Sequence, residues 1–201
     1  MFPLYALVIG IAVGLMFGGR MSNLGRLELR WAPLAAVGLL VQVALFAEPI
    51  AERVGSAGPP IYVASSILVL VAVLRNLQIP GLKVVAVGAM ANLAAIVANG
   101  GSMPVSAGAL AALGRSVGDA YSNSVEATNP ALAGLTDVYA LPAWMPFANV
   151  FSIGDLVIGI GIAIVLFQAM RGGDDRDRPH RHAGSVPLAH GAGSEPPIRS
   201  G

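Results

Sequence analysis

Between Asn149 and Met170 the chain reads NVFSIGDLVIGIGIAIVLFQAM, twenty-two residues that contain one charged side chain, Asp155. As a helix rising about 1.5 Å per residue, this run is long enough to cross about 30 Å of hydrocarbon. Four further apolar runs approach that length, at 2–19, 31–47, 60–74 and 82–98. The third is short for a span, and its ends must borrow flanking residues. The spacing predicts an all-α, polytopic membrane protein, a bundle of five transmembrane helices with a long outer loop, 99–148, between the fourth and fifth.

Composition points the same way. The 201 residues are 55% hydrophobic and 11% charged, whereas soluble domains carry about 25% charged residues. Cysteine is absent, which excludes disulfides, thiolate metal sites and cysteine nucleophiles. The three histidines, His180, His182 and His190, all lie near the C-terminus, so the apolar part has no imidazole for proton transfer or metal binding. No metal, cofactor or nucleic-acid partner is expected.

The basic residues set the orientation. With the N-terminus outside, Arg20, Arg26, Arg30, Arg75, Lys83, Arg171, Arg176, Arg178, Arg181 and Arg199 all fall on the cytoplasmic side, and only Arg53 and Arg115 fall outside. Glu48, Glu52, Asp119, Glu126 and Asp137 lie outside with them. A four- or six-span arrangement would scramble this pattern. The first run has no basic segment before it and no small-residue cleavage site, so it reads as an uncleaved anchor. Residues 172–201, rich in Gly, Pro, Arg, Asp and Ser, bury too little to order themselves and read as a disordered cytoplasmic tail. The expected location is the cell (cytoplasmic) membrane.

Helices in lipid gain little from burying apolar surface against one another, so small residues and hydrogen bonds must hold them. Gly10, Gly14 and Gly18 form a four-residue-spaced stripe on the first span. Ser152, Asp155, Gly159 and Ala163 share a face of the fifth, and Gly88, Asn92, Ala95 and Asn99 a face of the fourth. In the loop, Gly100 suits the left-handed end of a helix. Ser106 suits the cap of a short interfacial or re-entrant helix over 107–117. Trp144, Pro146 and Phe147 sit where an aromatic belt would anchor the return into the bilayer.

Asp155 is the one carboxylate inside a span, six residues or about 9 Å from the expected outer end. An acidic group there costs several kcal/mol unless paired, hydrated or protonated. No basic residue occurs at that depth, so its expected partners are Asn92, Asn99, Ser152, Gln42 or water. Asn149 reads as a helix cap. Asn92, Asn99, Asn149, Ser152 and Asp155 therefore form one polar cluster near the outer face. Two readings fit these residues: a hydrogen bond that locks the fourth and fifth spans, or a site for a ligand, an ion or catalysis.

The strings NGGSMPV at 99–105 and NVFSIGDLVI at 149–158 resemble the paired signatures (NGGxMPV and NVFSIGDxxI) of a bacterial integral membrane protein family whose domain has no known function. The resemblance covers about residues 1–170 and implies the five-helix architecture without lending an activity. The stretch from Asp155 through Ile158 to Gly161 is also similar to the last motif of signal peptidase II, an intramembrane aspartyl peptidase. Two features depart from it. Asn149 stands six residues before the aspartate rather than about three, and the position matching the second catalytic aspartate is Ala95.

The reading favoured by these features is a non-enzymatic binding component or partner subunit. Its partners would be the bilayer, a lipid or small ligand at the outer face, a second copy, or another membrane protein. An intramembrane aspartyl hydrolase using Asp155 with a loop aspartate is one alternative. A small transporter is another, opposed by the lack of an inverted repeat and of ionisable groups running from face to face.

Overall fold

The computed structural model describes residues 2–45, 47–115, 124–126 and 129–172. Each apolar run is helical, as α1 (Phe2–Met16), α2 (Ala32–Leu45), α4 (Gly58–Leu74), α5 (Leu82–Ala98) and α7 (Ile153–Arg171). Two short helices, α3 (Glu48–Val54) and α6 (Ala107–Ala112), lie in the connections. α3, a 3-10 turn at Gly55–Ala57 and α4 run together, so that Pro49–Leu74 is one apolar helical run of 26 residues. That run and the 19-residue α7 are long and apolar enough to cross a membrane. Leu4–Met16, α2 and α5 are apolar but shorter. The tail expected over 172–201 lies, apart from Gly172, outside the described residues, as does Asp119.

The protein is mostly helical, though not purely so. β1 (Met103–Val105) pairs in parallel with β2 (Ser124–Glu126), and β3 (Tyr139–Ala140) pairs antiparallel with β4 (Val150–Phe151). This pairing corrects the expected start of the last helix. Val150 and Phe151 are extended strand residues, Tyr139 stacks on Phe151 at 5.6 Å, and α7 begins only at Ile153. Its cap is therefore Ser152 and not Asn149. The first helix likewise stops before Gly19, because Gly18 takes a left-handed φ of +79°.

The helices stand in a row, α1 beside α7, α7 beside α5, α5 beside α4 and α4 beside α2. Glycines let the backbones approach along the α5–α7 seam. A Cβ on Gly88 would lie 2.6 Å from the Gly154 carbonyl oxygen, and one on Gly161 would lie 2.7 Å from the Val85 nitrogen. Gly81 and Gly88 thus face Gly161 and Gly154 with a common spacing of two helical turns. Gly10 and Gly14 meet Ala163 and Met170 on α7. Gly18 has nothing within 4 Å of its Cβ position, and Gly19 is the glycine pressed against Met170 instead. Gly159 is buried in α7.

Small residues such as Ala6, Ala72, Ala86 and Ala95 are buried along this row beside a few larger ones, Met170 above all, while many large apolar side chains point away from it. Ile9, Leu40, Val43 and Val87 are each more than half exposed.

The two ends of the row differ. At the basic end, Asn23 Nδ2 and the Arg20 N–H both donate to the Met170 carbonyl, at 2.7 and 3.0 Å. Asn76 Oδ1 accepts from the Arg30 N–H at 2.8 Å, while its Nδ2 donates to the carbonyls of Arg30 and Ala72. The Arg75 guanidinium lies 5.0 Å from the Trp31 ring. At the opposite end, the described residues between 99 and 152 fold into a cap. Val105, Ala109, Leu110 and Val150 form its own small core, and Met103 and Leu135 seat it on Ala95, Ile96, Tyr62 and Val63 of the helix ends. The Tyr5 hydroxyl ties α1 to the cap by donating to the Pro146 carbonyl.

α6 ends at Ala112, ahead of a left-handed Gly114, so it is shorter than the 107–117 helix expected. Ser106 makes no side-chain cap, and its N–H instead donates to the Asp137 carbonyl at 3.0 Å.

Candidate functional site

Ser152 is extended, and its side chain turns back over the first turn of α7. Its Oγ accepts from the Asp155 N–H at 3.0 Å, and Asp155 Oδ2 accepts from the Ser152 N–H at 3.2 Å, a reciprocal capping box. Asn92 of α5 closes the arrangement. Its Nδ2 donates to Asp155 Oδ1 at 2.7 Å, and its Oδ1 accepts from Ser152 Oγ at 2.8 Å. Gly154 makes this reach available, since a Cβ there would overlap the Asn92 side-chain oxygen. Ser152 is fully buried.

The carboxylate of Asp155 thus sits in the first turn of α7 rather than about 9 Å along it. There it accepts two hydrogen bonds at the end of a helix where negative charge is favoured. A paired carboxylate in such a place avoids most of the cost of leaving water.

Of the five residues grouped from the sequence, Asn92, Ser152 and Asp155 come together. Asn99 does not join them. Its Nδ2 donates to the carbonyls of Ala95 and Ala131, and its Oδ1 accepts from the Ala131 N–H at 2.9 Å, so it pins the cap to α5. Asn149 lies one residue before β4, and among the described residues its side chain makes no hydrogen bond. Gln42 donates to Ser66 Oγ at 3.2 Å and joins α2 to α4, away from Asp155.

Asp137 is one of two loop aspartates, the other being Asp119, that the sequence offers as a second carboxyl beside Asp155. Its backbone runs along β1, with the N–H donating to the Pro104 carbonyl and the carbonyl accepting from Ser106. Its side-chain Oδ1 is buried and has no hydrogen-bond partner among the described residues. The carboxyl is pushed up to about 7, first because burial disfavours its charge and second because Asp155 is a like charge nearby. Thr136 beside it is buried, with its hydroxyl bonded back to the Ala133 carbonyl. No motif in the sequence marks Asp137 above Asp119 or Glu126, the other acidic residues of the long loop.

Two acidic side chains on different elements therefore act on one another electrostatically, Asp155 with both oxygens hydrogen-bonded and Asp137 with an oxygen that no described residue engages. The pair can take up a proton, or accept hydrogen bonds from a ligand bearing donors. Among the described residues, no three His, Cys, Asp or Glu side chains group as a metal site would require.

No curated protein and no solved structure matches the chain. A family model does match, over residues 26–167, a stretch that contains both signature strings, α2 to α6 and most of α7. The chain belongs to that family, a family of unknown function (DUF5317).

Proposed function

We propose that this chain is a five-span membrane protein with its N-terminus and cap outside and its basic end in the cytoplasm. We read it as a non-enzymatic binding component or partner subunit whose site lies under the cap, at the outer ends of α5 and α7. Its surface supports the bilayer reading. Only 17% of the most apolar window in Pro49–Leu74 and 28% of that in Ile153–Arg171 is buried, whereas the central helix of a soluble protein is mostly covered. α1, α2 and α5 fall short of about 30 Å, a mismatch that local thinning and snorkelling flanks absorb at modest cost. The basic residues gathered at one end fit the positive-inside pattern.

The binding reading rests on the buried Oδ1 of Asp137, an acceptor without a donor among the described residues. Buried polar groups normally find partners, and one that does not marks a place for something else. The wild-type protein, taken from its membrane in a mild detergent, should carry a bound small molecule, lipid or partner in native mass spectrometry, and Asp137→Asn should lose it. A wild type that carries nothing would sink the reading. The topology has its own check, made simple by a chain with no cysteine. Ser102→Cys should react in intact cells with a membrane-impermeant maleimide, and Ser22→Cys should not.

The pairing of Asp137 with Asp155 also favours a second reading, an intramembrane aspartyl hydrolase, because two carboxyls sharing a proton are what that chemistry uses. Both oxygens of Asp155 are already engaged by Asn92 and Ser152, which weighs against it. Cleavage of transmembrane peptides by the wild type, lost in both Asp155→Asn and Asp137→Asn, would move the assignment to this reading.

A further inference from the structure

On the cap, away from the carboxyl pair, Arg115 lines a cavity of about 190 Å³ with Leu113, Ala143, Met145, Phe147 and Ala148. Among the described residues it is one of two basic residues outside the basic end, the other being Arg53. No ion pair to its guanidinium is formed by any described residue. Next to the cavity the chain makes two successive turns, with the Met145 N–H donating to the Pro142 carbonyl and the Ala148 N–H to the Met145 carbonyl. Pro146 is anchored between them by the Tyr5 hydroxyl.

This braced segment displays its apolar groups. Trp144 is 83% exposed and Phe147 68% exposed. Phe147 also holds a left-handed φ of +56°, an uncommon state for a bulky side chain. Trp31 and Leu132 share that backbone state, and residues held in it cluster at active sites and ligand clamps. The segment leads directly into β4 and the first turn of α7.

We propose that this cavity is a site for the phosphodiester headgroup of an anionic phospholipid of the outer leaflet. Arg115 pairs with the phosphate, for which its planar fork is suited. The cavity is below the about 300–1,000 Å³ of pockets that enclose whole ligands, so it takes the headgroup and glycerol and leaves the acyl chains outside. Those chains run past Phe147 and Trp144, the side chains that favour the interfacial level of a bilayer. The inference rests on the proposed membrane topology, and it adds a lipid site distinct from the one under the cap.

The test is calorimetric titration of the purified full chain, in a non-ionic detergent, with dihexanoyl phosphatidylglycerol and separately with inorganic phosphate. Saturable lipid binding is expected, weakened at least ten-fold in Arg115→Gln and a few-fold in both Phe147→Ala and Arg115→Lys, the latter keeping the charge but not the fork. Melting temperatures should stay level across the Arg115 variants, since the side chain is exposed. Equal lipid affinity in Arg115→Gln would overturn the proposal. So would inorganic phosphate binding as tightly as the lipid, which would make this a free-phosphate site. Retention of the wild type in carbonate-washed membranes separates the two failures. A chain released by carbonate defeats the topology, whereas a retained chain with an indifferent Arg115→Gln defeats only the lipid site.

Discussion

The basic end and the cap end of the row are both held by buried polar side chains, but they are satisfied to different degrees. At the basic end, Asn76 is 2% exposed, and its amide is matched on both sides by the backbone of Arg30 and Ala72. Asn23 likewise spends its amide on the Met170 carbonyl. These are staples, placed where helix ends leave carbonyls and N–H groups without partners. At the cap end the Asn92–Ser152–Asp155 ring is satisfied, yet a second carboxyl, Asp137, feels the charge of Asp155 and has a buried oxygen that no described residue engages. A polar group that completes the backbone contributes to structure alone. One that is buried and incomplete costs stability unless something arrives to complete it, which is why the proposed site is the one at the cap end.

The seam joining the two ends gives the largest expected effect. At Gly88 and Gly161 an added side chain meets backbone atoms of the facing helix, which cannot rotate away. Overpacking of this kind costs about 1–3 kcal/mol per site and more where backbone is involved. The double variant Gly88→Val, Gly161→Val should therefore exceed the lower end, about 5 kcal/mol, of ordinary protein stability. It should not be recovered as a monodisperse species by size exclusion in detergent. A folded double variant would mean that the seam is looser than these distances say.

Next come the two ends themselves. Asp137 has an unfolded-state value of about 3.9 and a folded value near 7. Between those limits the native state binds more protons than the unfolded state, so stability falls as pH rises from about 4 to about 7 and stays low above that. Asp137→Asn should remove this slope. The variant should match wild type near pH 4 and exceed it by about 2–4 kcal/mol at pH 8, because each pH unit between the unfolded and folded values is worth about 1.4 kcal/mol. Thermal unfolding across that range checks it, and a pH slope that survives in the variant would place the titration elsewhere. Asn76→Leu should do the reverse. It strands the Arg30 N–H and two carbonyls, lowering stability by about 2 kcal/mol at every pH, and a pH-dependent loss there would break the contrast between the ends.

The sequence carries the helices and the seam faces well, because both depend on patterns that local chemistry imposes. Apolar runs bounded by arginines locate α2, α4 and α5 to within about two residues. The four-residue stripe at Gly88, Asn92, Ala95 and Asn99 holds two of the residues that touch α7, Gly88 and Asn92. The glycines of α7 were less legible. Gly154 and Gly161 make the contact with α5, whereas the stripe read through Asp155 and Gly159 follows a neighbouring face.

The cap was hardly legible at all. Its strands are two or three residues long, too short to show alternation, and they pair across separations that no local pattern records. That pairing alone moves the start of α7 from Asn149 to Ile153, and with it Asp155 from inside the span to the first turn. Asp137 could not be told from Asp119 by sequence for the same reason, since its place is set by pairing along β1 and not by its neighbours in sequence.

The smallest effect is the most discriminating for Asp155. Replacing it by asparagine keeps the shape but turns one acceptor into a donor, facing either Asn92 Nδ2 or the Ser152 N–H. Considered alone, that should lower stability by about 1 kcal/mol, in line with an ordinary lost hydrogen bond. Removing the charge also relieves Asp137, whose carboxyl Asp155 helps to raise, and this gain exists only where Asp137 is ionised. The Asp155→Asn loss should therefore be full at pH 5 and shrink or vanish at pH 8. In the Asp137→Asn background it should return to the same value at both pH values. Melting curves of the two single variants and the double variant at those two pH values make the double-mutant cycle. If the cycle shows no coupling at pH 8, the two carboxyls act independently, and Asp155 is a clasp of the same kind as Asn76.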